Sequence, residues 1–119
     1  KGDSILLART CYSRSPFMGL VAGFLETGES LEACVHREVF EETGLQIRNL
    51  RYFGNQPWPY PSGLMVGFIA DYAAGEIRLQ KEELSEAAFF DRNRLPPLPP
   101  PLSLARRMID WWLDCPSSR

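Results

Sequence analysis

The sequence predicts an α+β fold in which a mixed β-sheet is flanked by helices, as in an α/β/α sandwich. Short apolar runs bounded by turn residues recur along the chain, and two segments carry the 3.6-residue period of amphipathic helices. These strands and helices interleave without the regular rhythm of βαβ units, which favours a mixed sheet over an all-parallel one. A chain of 119 residues is long enough to bury a core, so residues 1–119 are expected to form a single domain.

The strands are predicted from short apolar runs that end at turn residues. Gly2-Asp3 is a turn signal directly before the first run, which suggests that a strand precedes it in the natural protein. Gly19 and Gly23 interrupt the second run, and Ala74-Gly75 supplies a turn before the fifth. The predicted strands are Ser4–Arg9, Phe17–Phe24, Ile47–Phe53, Leu64–Tyr72, Glu76–Leu79 and Ala87–Asp91.

Two helices are predicted from their periodicity and end signals. The first covers Ser30–Thr43, with Ser30 as a plausible N-cap and Gly44 as a natural stop. The second covers Leu102–Leu113 and follows a rigid, proline-dense linker, Leu95–Pro101. Polar or proline-rich connections are expected at Cys11–Pro16, Asn55–Gly63 and Lys81–Glu86.

Composition excludes several classes of protein. The chain is 45% hydrophobic and 24% charged, close to ordinary globular proteins, which argues against disordered and fibrous chains. A formal net charge of -2 provides no overall field that would attract a polyanion, so phosphate binding needs a local site. No stretch approaches the roughly 18 apolar residues that a membrane helix requires, and no membrane contact is expected.

The cysteines favour a reducing compartment. Cys11, Cys34 and Cys115 are odd in number, widely separated and without a CxxC pair. They therefore predict neither a zinc site nor a disulfide framework in this chain. Reduced thiols and the absence of a signal-peptide pattern lead us to expect a cytoplasmic protein.

The first predicted helix carries carboxylates where core residues are expected. At about 100° per residue, Leu31 and Cys34 lie on an apolar stripe, and Glu38 and Glu42 continue it. Glu41 lies beside that pair. Buried carboxylates are unfavourable unless they are paired or metal-bound, and like charges four residues apart repel. A solvated surface cluster is one explanation, and a site for a divalent cation with hard oxygen ligands is the other.

The segment Gly23–Leu45 decides between them, because it resembles the Nudix box at every specified position. Each fixed residue type makes up about 6% of an average protein, so a chance match is on the order of one in ten million. The matching residues are Gly23, Glu29, Arg37, Glu38, Val39, Glu41, Glu42, Gly44 and Leu45.

The resemblance implies a catalytic metal site. In Nudix hydrolases the glutamates of this box bind Mg²⁺ or Mn²⁺ ions that bridge a pyrophosphate and activate the attacking water. Arg37 offers a rigid fork of donors that can hold a glutamate in place. Glu41 is implied as a further ligand or a water-positioning base, and Glu82 is a rival for the role of the extra glutamate downstream. The implied metal ligands are Glu38, Glu41, Glu42, Glu83 and the carbonyl of Ala22.

The proline-rich segment Asn55–Gly63 indicates the substrate. Its alternating prolines hold Trp58 and Tyr60 rigidly, which suits stacking on a planar base, although packing on the core or on a dimer interface is the alternative. Gln56–Pro61 resembles the array of the NADH pyrophosphatase branch, with tyrosine for phenylalanine and without the two outer serines. The substrate-binding residues implied by this resemblance are Phe24, Gln56, Trp58, Tyr60 and Ala105.

Membership of that branch implies hydrolysis of NADH, and less efficiently NAD⁺, to AMP and nicotinamide mononucleotide, and removal of NAD caps from RNA. Its members act as homodimers and usually carry an upstream four-cysteine zinc ribbon, so structural zinc is expected only in such an N-terminal region and not in this chain. Three alternatives stay open: another Nudix specificity such as ADP-ribose or a nucleotide sugar, a non-catalytic nucleotide sensor, and an inert fragment. The lone histidine, His36, is interpreted as a surface residue.

Overall fold

The structure, a computed structural model, describes residues 1–11, 16–58, 63–80 and 82–115, and of Trp58 only the backbone. Four strands and two helices occur in these ranges, and the predicted α+β class is confirmed. They follow in the order β1 (Ser4–Thr10), α1 (Leu31–Thr43), β2 (Gln46–Trp58), β3 (Gly63–Ala74), β4 (Leu84–Asp91) and α2 (Leu104–Asp114).

The described strands pair as two antiparallel ladders, where one mixed sheet was expected. β1 pairs with β4, from Ser4 opposite Asp91 onward. β2 pairs with β3, which follows it closely in the chain, as antiparallel neighbours with a short connection commonly do.

The core lies between the β1–β4 ladder and α2. Leu7 and Ile109 are fully buried, and Met18 is 2% exposed. The backbone N–H of Met18 donates to the carbonyl of Pro97 at 2.9 Å, so the proline-dense linker covers one side of this core. Partly buried apolar side chains complete it: Ile5, Leu20, Phe90, Leu95, Leu98 and Leu113.

The end signals of α1 operate as predicted. The Ser30 hydroxyl accepts a hydrogen bond from the N–H of Ala33 at 3.1 Å, which satisfies one of the free donors of the first turn. Gly44 adopts a left-handed conformation with φ 78°, and its N–H donates to the carbonyl of Phe40. A non-glycine residue would be strained there, so this glycine ends the helix.

Two connections differ from the prediction. β2 continues through Trp58 and β3 begins at Gly63, so much of the predicted loop Asn55–Gly63 is paired strand. The extension of β2 depends on its pairing with β3, which no local sequence pattern reveals. β4 begins at Leu84, inside the predicted connection Lys81–Glu86. Lys81 itself is outside the described residues.

Two predicted strands are absent from the described part of the chain. Phe17–Phe24 forms only one bridge, between Gly19 and Ala8, because glycines weaken the strand and its other backbone groups find partners elsewhere. The Glu76–Leu79 segment forms no ladder. The Arg78 N–H donates instead to the carbonyl of Thr43, in the last turn of α1, at 2.7 Å.

A cleft of about 850 Å³ separates the two ladders. Its walls come from β1, α1, β2, β3 and α2, together with the loop before α1. The residues that line it include Ala22, Gly23, Glu38, Met65 and Ala105. Neither described helix is long and apolar enough to cross a membrane.

Candidate active site

Arg37 connects the loop before α1 to the carboxylates of the helix. Its Nε and Nη2 donate to the two carboxylate oxygens of Glu29 at 2.6 and 2.9 Å. Nη2 also donates to the carbonyl of Phe24 at 3.0 Å, and Nη1 donates to Glu38 and Glu41, each at 3.1 Å. The forked guanidinium therefore holds three carboxylates and a loop backbone in one arrangement, which a lysine ammonium could not reproduce.

The Arg37–Glu29 pair stays ionised across the physiological range. Hydrogen bonding from Arg37 lowers the pKa of Glu29 to about 2, and the same bond raises the pKa of Arg37. Glu29 is part of the box, but the sequence alone gives it no role in the site. The signal that could have found it is charge balance: a half-buried arginine among glutamates needs a dedicated bidentate partner.

Glu38 lies against the backbone of the preceding loop. Its Oε2 accepts the N–H of Phe24 at 3.0 Å, and its side chain is 17% exposed. A Cβ at Gly23 would lie 1.5 Å from Oε2 and 2.1 Å from Cδ of Glu38. The box glycine is therefore required for close approach: only a hydrogen fits between this loop and the carboxylate.

Glu42 is the most deeply buried carboxylate of the described residues, at 5% exposure. This confirms the placement of the i, i+4 pair on the inward stripe of α1. Burial raises the pKa of Glu42 to about 7, and repulsion from Glu38, Glu83 and Glu41 adds to the rise, with only Arg37 opposing it. A nearby cation would stabilise the ionised form of a carboxylate in this environment.

A separate segment of the chain brings Glu83 to this cluster. The N–H of Gln80 donates to the carbonyl of Glu42 at 3.0 Å, and the N–H of Glu83 turns back onto the carbonyl of Gln80 at 2.9 Å. The charge of Glu83 contributes to the raised pKa of Glu42, and that of Glu82 is not among its causes. The carbonyl of Glu82 instead accepts the thiol of Cys11. These contacts favour Glu83 over Glu82 as the fourth carboxylate.

The donor chemistry of the cluster fits a hard divalent cation. All four side chains offer carboxylate oxygens, the ligands that Mg²⁺ and Mn²⁺ prefer, and their mutual repulsion is visible in the pKa of Glu42. Within the described residues, no three Asp, Glu, His or Cys side chains are already grouped as ligands of one ion. Glu38 and Glu41 contact Arg37 instead, so coordination would require both to exchange that partner for the ion.

The predicted substrate residues are placed unequally. Phe24 is 89% exposed beside Glu38, and Ala105 lines the same cleft as Glu38 and Ala22. Gln56 is not among the residues that line it. The side chain of Trp58 and the whole of Tyr60 lie outside the described residues.

Two residues were assigned no catalytic role from the sequence, and the structure agrees with both assignments. His36 is exposed on α1. Cys34 is buried at 8% exposure, and burial raises the pKa of its thiol. Its sulfur lies 3.5 Å from the carbonyl of Phe24, so it packs beneath the loop as a small core residue.

Replacing Arg37 with lysine should raise the pKa of Glu29 toward its ordinary value, because the bidentate hydrogen bond is lost. The folded-state pKa of Glu29 is depressed, so its contribution to stability exists above the unfolded pKa and disappears as the pH falls through about 2. An NMR titration of the Glu29 carboxyl carbon between about pH 3 and pH 6 should show an inflection only in the variant.

The matched control for this titration is Arg51→Lys. Arg51 forms an ion pair with Asp71, and the two side chains are 49% and 47% exposed. Replacing Arg51 should leave the titration of Glu29 unchanged. An unaltered Glu29 titration in Arg37→Lys would contradict the arrangement described for this pair.

Comparison with known proteins gives the family. A sequence model of the NUDIX domain matches residues 1–112. The chain is 50% identical over 115 residues to the NAD-capped RNA hydrolase NudC of Pasteurella multocida (strain Pm70), which covers 96% of this chain and 44% of the relative. It is 51% identical over 118 residues to the NAD-capped RNA hydrolase NudC of Haemophilus influenzae (strain PittEE), covering 96% and 45%. The chain spans less than half the length of these curated relatives.

Solved structures agree on the fold. The MutT NUDIX hydrolase from Burkholderia pseudomallei superposes with a TM-score of 0.70 at 23% identity, covering 91% of this chain and 86% of that one. A UDP-X diphosphatase superposes with a TM-score of 0.69 at 21% identity, covering 94% and 56%. At these low identities the likeness concerns the fold alone, and it confirms the predicted Nudix fold. Since one family model accounts for nearly the entire sequence and the architecture matches, the chain belongs to the NUDIX domain family.

Proposed function

We propose that this domain hydrolyses the pyrophosphate bond of NADH, and less efficiently that of NAD⁺, to AMP and nicotinamide mononucleotide. The observation that carries the proposal is the buried Glu42, surrounded by the charges of Glu38, Glu41 and Glu83 at one end of α1. Relatives about 50% identical to this chain, named NAD-capped RNA hydrolases, support the choice of substrate.

The reaction adds one water across a P–O–P linkage. The water oxygen forms a bond to one phosphorus, the bridging oxygen leaves with the other phosphate, and two monophosphates result. A divalent cation, Mg²⁺ or Mn²⁺, would neutralise phosphoryl charge and lower the pKa of the attacking water. We assign its ligands to Glu38, Glu42, Glu83 and the carbonyl of Ala22, with Glu41 as a further ligand or as the group that positions the water.

The remaining roles follow from the contacts of each residue. Arg37 orients Glu38 and Glu41 through its Nη1 group. Glu41 has a side chain that is 49% exposed, so it can meet solvent water. The exposed ring of Phe24 offers a stacking surface for the nicotinamide, directly beside the Glu38 carboxylate that its own N–H contacts.

We further propose that the domain removes NAD caps from RNA, because the same bond is broken when the adenosine carries an RNA chain. Action as a homodimer in the cytoplasm is part of this proposal. In such a dimer, Trp58 would serve the neighbouring subunit's site and Tyr60 would line the base pocket. Ala105, which lines the cleft, would lie on the adenine side of the pocket.

Product analysis tests the proposal. The full-length protein is incubated with Mg²⁺ or Mn²⁺ and with NADH, ADP-ribose or NAD-capped RNA. AMP plus reduced nicotinamide mononucleotide as the preferred products supports NADH hydrolysis. Preferred formation of AMP and ribose 5-phosphate would assign the domain to ADP-ribose, and binding without turnover of any substrate would make it a sensor.

A matched pair of variants shows whether the carboxylates carry the activity. Glu38→Gln removes one negative charge from the proposed metal site, whereas His36→Gln alters an exposed side chain of the same helix. Turnover is expected to fall by about a hundredfold or more in Glu38→Gln and to persist in His36→Gln. Equal activity of the two variants would refute the assigned site.

A further inference from the structure

The side-chain amide of Gln56 is hydrogen-bonded at both ends to the segment that begins α2. Its Oε1 accepts the N–H of Leu104 at 2.9 Å, and its Nε2 donates to the carbonyl of Leu102 at 3.2 Å. These contacts join residues 46 and 48 positions apart in the chain. Gln56 is itself fixed in β2 by its pairing with Met65 of β3, so the amide ties the start of α2 to the β2–β3 ladder.

The tie satisfies a specific donor of the helix. The first N–H groups of an α-helix have no intrahelical partner. In α2, Gln56 accepts the N–H of Leu104, and the Ser103 hydroxyl accepts that of Arg106 at 3.1 Å. The N–H of Ala105 is the first-turn donor for which the described residues provide no partner.

The turn held by Gln56 contains Ala105, a residue of the cleft wall. Ala105 lines the cleft that also contains Glu38, whereas Gln56 does not line it. Both hydrogen-bonding atoms of the Gln56 amide are engaged by the protein. Gln56 thus stands behind the cleft wall and is hydrogen-bonded to the residues on either side of Ser103, at the start of the turn that contains Ala105.

We propose that Gln56 is a positioning residue: it fixes the first turn of α2, and with it Ala105, against the substrate cleft. Its kinetic consequence rests on the proposed function. A neutral amide is the side chain that can both donate and accept across this distance. Glutamate would place a second acceptor against the carbonyl of Leu102, and methionine would keep the length while removing both bonds.

Two measurements on the full-length protein test the proposal. The first is hydrogen–deuterium exchange of the hydrogen-bonded Leu104 and Arg106 amides, without metal or substrate. The second is the steady-state hydrolysis of NADH. Gln56→Met should accelerate exchange in this turn and raise KM about tenfold with little change in kcat, because two partly exposed hydrogen bonds are lost while the carboxylates are untouched.

The control is Tyr52→Phe, which removes a hydroxyl bonded to Asn55 on the same strand and leaves α2 alone. It should change neither measurement. Gln56→Glu should resemble Gln56→Met. Unchanged exchange in both Gln56 variants overturns the proposal. Faster exchange with an unchanged KM also overturns it, as does a fall in kcat as large as the rise in KM. If the wild-type protein hydrolyses no dinucleotide, the proposed function fails, and the exchange result still decides whether Gln56 orders the turn.

Discussion

Glu42→Gln is expected to lower NADH turnover by several orders of magnitude and, at the same time, to stabilise the metal-free protein. The carboxylate is 5% exposed and carries a pKa of about 7 because of burial and three neighbouring carboxylates. Glutamine keeps the shape and removes the charge. Relief of that penalty should raise the free energy of unfolding by about 1–3 kcal/mol above pH 7, whereas loss of a proposed metal ligand removes catalysis.

The gain in stability should depend on pH. The pKa of Glu42 is raised on folding from 4.5 to about 7, so between these values the folded state binds more protons than the unfolded state. This group therefore lowers the stability of the wild-type protein as the pH rises through that window, and the loss persists above it. Glu42→Gln lacks this contribution, so the difference between the two proteins should be small near pH 4.5 and largest above pH 7.

Urea denaturation in a chelating buffer at low and high pH measures that difference, and Mg²⁺ should stabilise the wild-type protein more than the variant. A variant that is less stable than the wild type at every pH would show that Glu42 is satisfied as an anion. Near-normal turnover would remove Glu42 from the metal site.

Gly23→Ala is expected to reduce turnover by about a hundredfold or more, because the new methyl group occupies the position of the Glu38 carboxylate. The Cβ would lie 1.5 Å from Oε2 and 2.4 Å from Cγ of Glu38. Glu38 would have to leave the N–H of Phe24 and take another rotamer. The loop is exposed, so the overall fold should survive with an overpacking penalty of about 1–3 kcal/mol.

The control is Gly54→Ala, whose Cβ would meet only Leu104 at an ordinary contact distance of 3.9 Å. Its turnover should remain near that of the wild type. The decisive measurement is kcat/KM for NADH in the two variants, with circular dichroism to establish folding. A folded Gly23→Ala protein of normal activity would show that the loop and Glu38 can separate without consequence.

Local signals predicted the features that local chemistry determines. Ser30 and Gly44 bound α1 because capping and a left-handed stop depend on neighbouring residues alone. The burial of Glu42 follows from helical periodicity, since one turn decides which face a residue occupies. The box resemblance then indicated the family, and the family match confirms it.

Features that depend on distant partners were not predictable in the same way. The extension of β2 to Trp58 is decided by its antiparallel partner β3. The hydrogen bonds that join the Gln56 amide to the start of α2 link residues 46 and 48 positions apart. Glu29 matched the box, but its pairing with Arg37 became visible only once the loop lay against the helix. Each case joins elements whose relative placement no periodicity encodes.

The acidic end of α1 affects how tightly this site would bind a divalent cation. The glutamates lie in the half of the helix where the backbone dipole is negative, and no basic residue occupies the last turn. The negative end of the dipole and the carboxylates therefore repel one another in the folded protein without a metal ion. Both attract a divalent cation. Repulsion that is relieved on binding adds directly to the binding free energy, so a variant engineered for greater stability without the ion would hold that ion less tightly.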